Sequence, residues 1–197
     1  MRPRLIDDDH LLDQLLAAFA DLGFDGASIR AICRHLGVSH NMVYQRYPSK
    51  DAAWTAAVDH AFARLTAALF APLDEDLEPE EALRTLMRRW VDVTLEQPTL
   101  ARIIHQESAR PGPRFDYMYD RYIGPVQETA RAAILEQQQL GNARPGPLSA
   151  AYFFLTTWGL GGIASSQALA VRAGADGDDP REAAYLAIDI VIRGTLL

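Results

Sequence analysis

Hydrogen-bonding and aromatic side chains are concentrated in the short segment 40–46, between signals that begin and end helices. Ser28 precedes a stretch with apolar residues at helical spacing, Gly37 supplies a tight turn, and Ser39 precedes a second short helix. Val43 is expected to face inward, and the outward positions of this second helix are His40, Asn41, Tyr44, Gln45 and Arg46. Packing in a helix core does not require such hydrogen-bond donors and flat rings, whereas contacts with the edges of DNA bases do. The spacing therefore predicts a helix-turn-helix whose second helix reads a DNA groove.

The segment 28–50 is basic, whereas the remainder of the chain is acidic. It lacks Asp and Glu and contains four cationic side chains, Arg30, Arg34, Arg46 and Lys50. Of the net charge of −7, this segment contributes +4, so the rest of the chain carries −11. An acidic body is repelled by phosphates while a basic face is attracted to them, which orients a protein on a duplex. Lys50 follows Ser49 at a helix start, where its ammonium, free backbone N–H groups and the helix dipole predict a phosphate contact.

The same segment resembles the DNA-binding domain of the TetR family of transcriptional repressors. The family pattern of a capped helix, a glycine turn, a Leu-Tyr pair, an aromatic residue and Ser-Lys appears here as Ser28, Leu36–Ser39, Val43–Tyr44, Tyr47 and Ser49–Lys50. The resemblance covers about the first quarter of the chain and implies docking in the major groove, with the Tyr44 hydroxyl on a phosphate. The family often has Gly or Pro in place of Asn41 and Thr in place of Met42. Base readout at those two positions therefore cannot be carried over from the family.

Simpler interpretations exist for individual residues of this segment. Two short helices joined by a glycine turn also occur in helical bundles that do not bind DNA. His40 can be a solvated surface residue, and Asn41 a polar residue of the helix start. Tyr47 precedes Pro48, where the helix must end, so its ring is predicted to pack in the small core. Cys33 lies among apolar neighbours and is predicted to be a small core residue.

Length and composition favour a small head followed by a larger helical body. The chain has 197 residues, 49% of them hydrophobic, which is enough for a sizeable core. Its single cysteine cannot form an internal disulfide, and the spacing of its five histidines does not suggest a metal site, so no metal or other cofactor is expected. The N-terminal sequence lacks an apolar signal core, and no run approaches the roughly 18 apolar residues that span a bilayer. We therefore expect a cytoplasmic protein with no membrane partner.

Hydrophobic periodicity predicts an all-α fold of about nine helices without a sheet. The domains are predicted as a DNA-binding head at 1–50, a connecting helix at about 49–70, and a ligand-binding and dimerisation body at 71–197. Outside the helix-turn-helix, helices are predicted at 8–22, 49–70, 80–97, 99–109, 115–140, 149–173 and 180–197.

Aromatic side chains on several predicted body helices form a candidate small-molecule site. Together with one histidine, they are Trp90, His105, Phe115, Tyr119, Tyr122, Phe154 and Trp158. Aromatic residues at helical spacing belong more often to an ordinary core, so the set alone does not decide between core and pocket. The TetR resemblance implies a pocket, because the body of that family typically encloses a small-molecule site. Glu107 is either a polar group of this pocket or the partner of a nearby surface arginine.

The last two predicted helices, 149–173 and 180–197, are apolar on nearly every side. Such helices need partners on every side, and a chain of this size has too few other helices to cover both. A second subunit is therefore the expected cover, giving a two-fold four-helix interface.

These features predict a homodimeric transcriptional repressor that places two recognition helices about 34 to 36 Å apart on DNA. The expected partners are a double-stranded DNA operator, a second copy of the chain, and an apolar or aromatic effector that releases the operator. The alternative is a helical small-molecule-binding protein whose vestigial helix-turn-helix does not read DNA. The sequence shows no nucleophile with a base, no paired carboxylates and no metal spacing, so an enzyme is not expected.

Overall fold

Helices form the regular structure of this chain in a computed structural model. The structure describes residues 7–73, 77–153, 172 and 180–196. The described helices are α1 (Asp8–Leu22), α2 (Ile29–Leu36), α3 (His40–Arg46), α4 (Lys50–Leu69), α5 (Pro79–Glu96), α6 (Pro98–Ser108), α7 (Pro113–Met118), α8 (Gly124–Gln139), α9 (Leu148–Phe153) and α10 (Pro180–Thr195). No strand occurs within the described ranges, which confirms the predicted all-α fold. None of these helices is both long and apolar enough to cross a lipid bilayer.

The chain divides into two compact units, Met1–Thr66 and Ala67–Leu197. The first unit contains α1 to α3 and most of α4, and the second contains the remaining described helices. The division falls inside α4, so this helix is covalently shared by both units. The ligand-binding and dimerisation roles of the second unit stay predictions.

The first unit is built around apolar side chains contributed by all four of its helices. The most deeply buried large ones are Leu11, Leu15, Phe19, Ile32, Val43, Trp54 and Val58. Full burial of such a side chain contributes roughly 1.5–3 kcal/mol, so this core holds the two short helices against the two longer ones. Cys33 is 4% exposed, which confirms its predicted core position. Tyr47 is half-buried, and this burial is the main cause that raises the pKa of its hydroxyl.

One core cluster of the second unit lies between α5, α9 and α10. This cluster consists of Met87, Val91, Tyr152, Ala184, Ile188 and Ile192. Two polar pairs flank this cluster. The Arg84 guanidinium donates to the Asp189 carboxylate, and the Tyr185 hydroxyl donates to Asp92 at 2.6 Å. Apolar contact and charge pairing thus act together to hold α5 against α10.

The predicted helix 115–140 differs from the structure in two respects. The helical segment begins at Pro113, where the fixed φ of proline suits a first helical turn. A π-helical turn, Tyr119–Ile123, then joins α7 to α8, and the Gly124 N–H bonds to the Tyr119 carbonyl five residues earlier. Pro125 follows and lacks an N–H, so the regular i to i−4 ladder cannot continue through it. The spacing of apolar residues in the sequence does not predict this π-helical turn.

Candidate DNA-binding surface and body cavity

Two serine caps and one glycine create the predicted helix-turn-helix. The Ser28 hydroxyl accepts a hydrogen bond from the Ala31 N–H at 3.1 Å and starts α2. The Ser39 hydroxyl accepts one from the Met42 N–H at 3.2 Å and starts α3. Between them Gly37 adopts the left-handed region at φ 66°, which a residue with a side chain rarely does. The turn and both helix starts are therefore encoded locally.

Two substitutions at Ser39 distinguish the contribution of its helix cap to stability from the contribution of surface charge to DNA binding. Ser39→Ala is expected to destabilise the first unit by about 1 kcal/mol, because a helix-start N–H loses its partner. Ser39→Asp keeps a capping oxygen and adds a negative charge, so it should retain stability but bind DNA less tightly. Thermal unfolding and DNA-binding anisotropy on both variants check this. Unchanged stability in Ser39→Ala would contradict the assigned cap.

The outward side of α3 carries the polar residues expected there. Val43 is fully buried and anchors the helix to the core, and the residues around its opposite side are exposed. Those exposed residues are Ser39, His40, Asn41, Tyr44 and Gln45. The rings of His40 and Tyr44 stack one turn apart, with their centroids 5.4 Å apart. Hydrogen-bonding groups and a stacked aromatic pair thus face outward over a rigid apolar anchor.

Two of the four cations in the segment 28–50 have partners inside the first unit. Arg46 lies on the flank of α3, and its Nε is 2.9 Å from an Asp8 carboxylate oxygen of α1. Lys50 donates from Nζ to the Phe24 carbonyl oxygen at 2.9 Å. The segment itself contains no acid, but the fold brings α1 carboxylates to it. The sequence could not show these pairings because their members lie far apart in the chain.

Arg30 and Arg34 form a cationic row on α2. Neither residue is among the DNA-binding residues predicted from the sequence. They lie one turn apart on α2 and both are exposed. Within the described residues, neither forms an ion pair with an acidic side chain. Their signal was present in the sequence as two of the four positive charges, but the prediction placed contacts mainly on α3. The structure makes this row available to an anionic partner.

A cavity of about 490 Å³ lies in the second unit. Most of its wall is apolar, with Trp90 and Tyr119 among the aromatic side chains that line it. Its polar lining residues are Gln127, Thr129 and Ser149, which are neutral, and Glu128 and Arg131, which pair with each other. A volume of this size is typical of sites that hold a small organic molecule.

Only part of the predicted ligand-site residues line this cavity. Trp90 and Tyr119 do, whereas His105, Phe115 and Tyr122 are not among its lining residues. Phe154 and Trp158 lie outside the described residues. The cavity also takes Met87 and Tyr152, which the prediction did not include because helix crossings determine which helical faces meet.

The predicted residues away from the cavity wall have identifiable surroundings. Phe115 packs against Tyr119, with ring centroids 5.9 Å apart, so it supports a residue of the wall. His105 is half-buried on α6, and burial lowers its pKa. Glu107 is 8% exposed and pairs with Arg114 at 3.0 Å between Oε1 and Nε. The arginine alternative for Glu107 is therefore confirmed, although its carboxylate is buried rather than on the surface.

The π-helical turn shapes the cavity wall, and Gly124 at its end leaves little room for a side chain. A Cβ at Gly124 would lie 3.0 Å from the Tyr119 carbonyl oxygen and 3.4 Å from its ring. Gly124→Ala is therefore expected to destabilise the protein by about 1–3 kcal/mol, because backbone must shift. Gly194→Ala in α10 is the matched control, since its Cβ would meet nothing within 4 Å. Denaturant unfolding compares the two variants, and equal changes would contradict the role assigned to Gly124.

One face of α10 is apolar and exposed. Leu186 and Ile190 lie one turn apart and are each 63% exposed, while Ile188 and Ile192 are buried on another side. A helix that is apolar on two sides fits the expectation of a further partner. The preceding predicted helix, 149–173, lies mostly outside the described residues, so the four-helix arrangement stays a prediction.

Comparison with known proteins agrees with the geometry of the first unit. Residues 11–53 match the family model of the bacterial regulatory proteins of the tetR family. This match spans α1 to the start of α4, including both serine caps and the row on α2. No curated protein sequence matches the chain significantly.

Solved structures share the fold over nearly the whole chain. The ketosteroid transcriptional regulator KstR2 of Mycobacterium tuberculosis superimposes with a TM-score of 0.73 at 19% identity, covering 98% of this chain and 97% of that one. A TetR family transcription regulator from Marinobacter aquaeolei gives 0.68 at 19% identity, covering 94% and 93%. One from Haemophilus influenzae gives 0.63 at 17% identity, covering 95% and 97%. Residues 11–53 thus match the family model of the tetR family of bacterial regulatory proteins, and the chain has the TetR-like fold.

Proposed function

We propose that this protein is a homodimeric transcriptional repressor that leaves its DNA operator when a small apolar or aromatic effector binds. The observation that carries the DNA-binding part is the outward face of α3, polar and exposed above the buried Val43. The match of residues 11–53 to the family model of bacterial regulatory proteins supports the same function.

Each exposed group on the first unit suits a different part of a duplex. Asn41 and Gln45 lie opposite the buried side of α3, where an amide can pair with a base edge in the major groove. Tyr44 is 53% exposed and can place its hydroxyl on a phosphate. Arg30 and Arg34 add charge that neutralises phosphates without reading sequence. Ser28 and Ser39 contribute by fixing the helix starts from which these groups project.

The exposed apolar face of α10 supports a homodimer. Leu186 and Ile190 are covered when a second copy presents the same face across a two-fold axis. Two heads then occupy neighbouring major grooves, so the operator is a near-palindrome.

The apolar cavity of the second unit supports a small-molecule effector. Its wall carries Trp90, Tyr119 and Tyr152, which suit flat or ring-containing apolar molecules. The similar protein KstR2 is a ketosteroid transcriptional regulator, which is consistent with an apolar ligand of ring character here. The effector releases DNA only if it binds the released arrangement of the dimer more tightly than the DNA-bound one.

Selection from a pool of duplexes with random sequence tests the proposal, because the protein itself then picks out its operator. The purified protein should enrich a near-palindromic sequence whose binding weakens steeply as salt increases. Gln45→Ala should change the enriched sequence, because it removes a base-reading group. Failure to enrich any sequence, together with salt-insensitive binding, would exclude a sequence-reading regulator.

The alternative function is a helical small-molecule-binding protein that does not read DNA. The internal pairing of Arg46 and Lys50 favours it, because these pairs reduce the charge free to meet phosphates. Quenching of tryptophan fluorescence by apolar ring compounds, in a protein that enriches no duplex, would support this alternative.

A further inference from the structure

The Lys50 side chain is held in place by contacts with Phe24 inside the first unit. Its ammonium nitrogen lies 2.9 Å from the Phe24 carbonyl oxygen and 4.1 Å from the centroid of the Phe24 ring. One charged group therefore makes a hydrogen bond and a cation–π contact with the same residue. The hydrogen bond is part-buried, and Lys50 itself is half-buried.

The Phe24 ring is fixed by the core on its other sides. It stacks on Phe19 of α1 with centroids 5.8 Å apart and meets Trp54 of α4 edge-on at 6.3 Å. Phe19 and Trp54 are each at most 2% exposed. The position of Phe24 is therefore determined by α1 and α4 together, and Lys50 adds a polar bond to this apolar contact.

The residue that Lys50 holds belongs to the short loop leading into α2. In this loop, the Ala27 N–H points to the carbonyl oxygens of Gly23 at 3.1 Å and Phe24 at 3.2 Å. Ser28, the cap of α2, follows directly. The Phe24 carbonyl thus receives both the loop's own N–H and the Lys50 ammonium. Arg30 lies in the first turn of α2, so the loop determines where this cation projects.

Lys50 can extend away from the loop towards a phosphate only by giving up both contacts with Phe24. An exposed ion pair with phosphate is screened by salt, whereas a part-buried charge-assisted hydrogen bond is screened less. Losing the Lys50 bond would also remove the charged partner of a part-buried carbonyl. The internal position is therefore favoured over an extended one.

We propose that Lys50 is a positioning residue, which locks the 23–27 loop to the start of α4 and so fixes the cationic row on α2, and does not itself neutralise a phosphate. The DNA-binding part of this inference rests on the proposed function. The loop-locking part does not.

Three variants separate positioning from phosphate contact. Lys50→Met keeps the aliphatic stem and removes the ammonium, and Lys50→Arg keeps a cation that can reach the same carbonyl and ring. Arg34→Met removes an exposed cation that has no acidic partner in the described structure. Binding to a duplex selected by the wild-type protein is measured over a salt series, and amide hydrogen exchange of the 23–28 segment is measured without DNA.

Positioning predicts that Lys50→Met weakens DNA binding about tenfold, on the scale of one lost charge-assisted hydrogen bond, with an unchanged salt slope. Exchange in the 23–28 segment should become about tenfold faster in Lys50→Met and return close to wild type in Lys50→Arg. Arg34→Met should instead lower the slope by about 0.9 per head without changing loop exchange.

A slope that falls in Lys50→Met as it does in Arg34→Met would overturn the inference, because Lys50 would then be a phosphate contact. Wild-type exchange rates in Lys50→Met would overturn the loop-locking role. If the wild-type protein selects no duplex, the proposed function fails, while the exchange measurement still decides whether Lys50 holds the loop.

Discussion

Replacing Arg30 and Arg34 together by alanine is expected to lower affinity for every DNA duplex on the order of a hundredfold at physiological salt. Both side chains are exposed on α2, and neither has an acidic partner within the described part of the chain. Their charge is therefore available to release counterions from phosphates. The plot of log affinity against log salt should become shallower by about 0.9 for each arginine and each head bound. Fluorescence anisotropy over a salt series measures both quantities.

Two controls show whether this effect is specific to the row on α2. Arg30→Lys with Arg34→Lys keeps the charge and should preserve most of the salt slope. Arg64→Ala removes an arginine of the first unit that is already paired with Asp13 at 2.8 Å, so it should leave the slope unchanged. A double alanine variant with the slope of the wild-type protein would show that α2 does not face the duplex.

Placing carboxylates on the exposed face of α10 is expected to separate the subunits of the proposed dimer. Tight operator binding should be lost as a consequence. Leu186→Glu with Ile190→Glu introduces two charges into each copy of a face that is 63% exposed at both positions in the single chain. Across a two-fold axis, these charges would be desolvated against one another. Operator affinity should fall by at least about a hundredfold, because each head would then bind alone rather than in a linked pair.

Light scattering provides the direct measurement of this change. The double variant should have the mass of one 21.8 kDa chain, whereas the unmodified protein should have twice that mass. Leu140→Glu is the matched control, since Leu140 is 64% exposed but lies at the end of α8. A dimer that survives both glutamates would place the subunit interface elsewhere.

Local signals explain why the first unit could be predicted from the sequence. Both caps act within three residues, and Gly37 determines its own turn, so Ser28 and Ser39 were readable without tertiary information. Val43 was predictable as the single inward position of α3 because helical periodicity separates it from its polar neighbours.

Contacts between distant residues explain what could not be predicted. Lys50 meets Phe24 from 26 positions away, and Arg46 meets Asp8 only because the core brings α1 beside α3. Residue type alone does not show whether these two cations bind DNA or a partner within the protein. Their partners follow from packing, which a single sequence does not display.

The cavity was predicted less completely for a related reason. Trp90 and Tyr119 were recognisable as large aromatic residues on amphipathic helices, and both line it. His105 carries an equally suggestive side chain but does not line the cavity, because none of the lining residues comes from α6. The π-helical turn changes the register of the wall between Tyr119 and Gly124, and periodicity assumes a constant register.

Hydroxyl-radical footprinting on a selected duplex shows whether two copies of α3 enter neighbouring major grooves. We expect two symmetric protected regions whose centres are about 34 to 36 Å apart, both lost in the Leu186→Glu, Ile190→Glu variant. A single protected region, or protection without a fixed spacing at protein concentrations that saturate the duplex, would contradict this expectation.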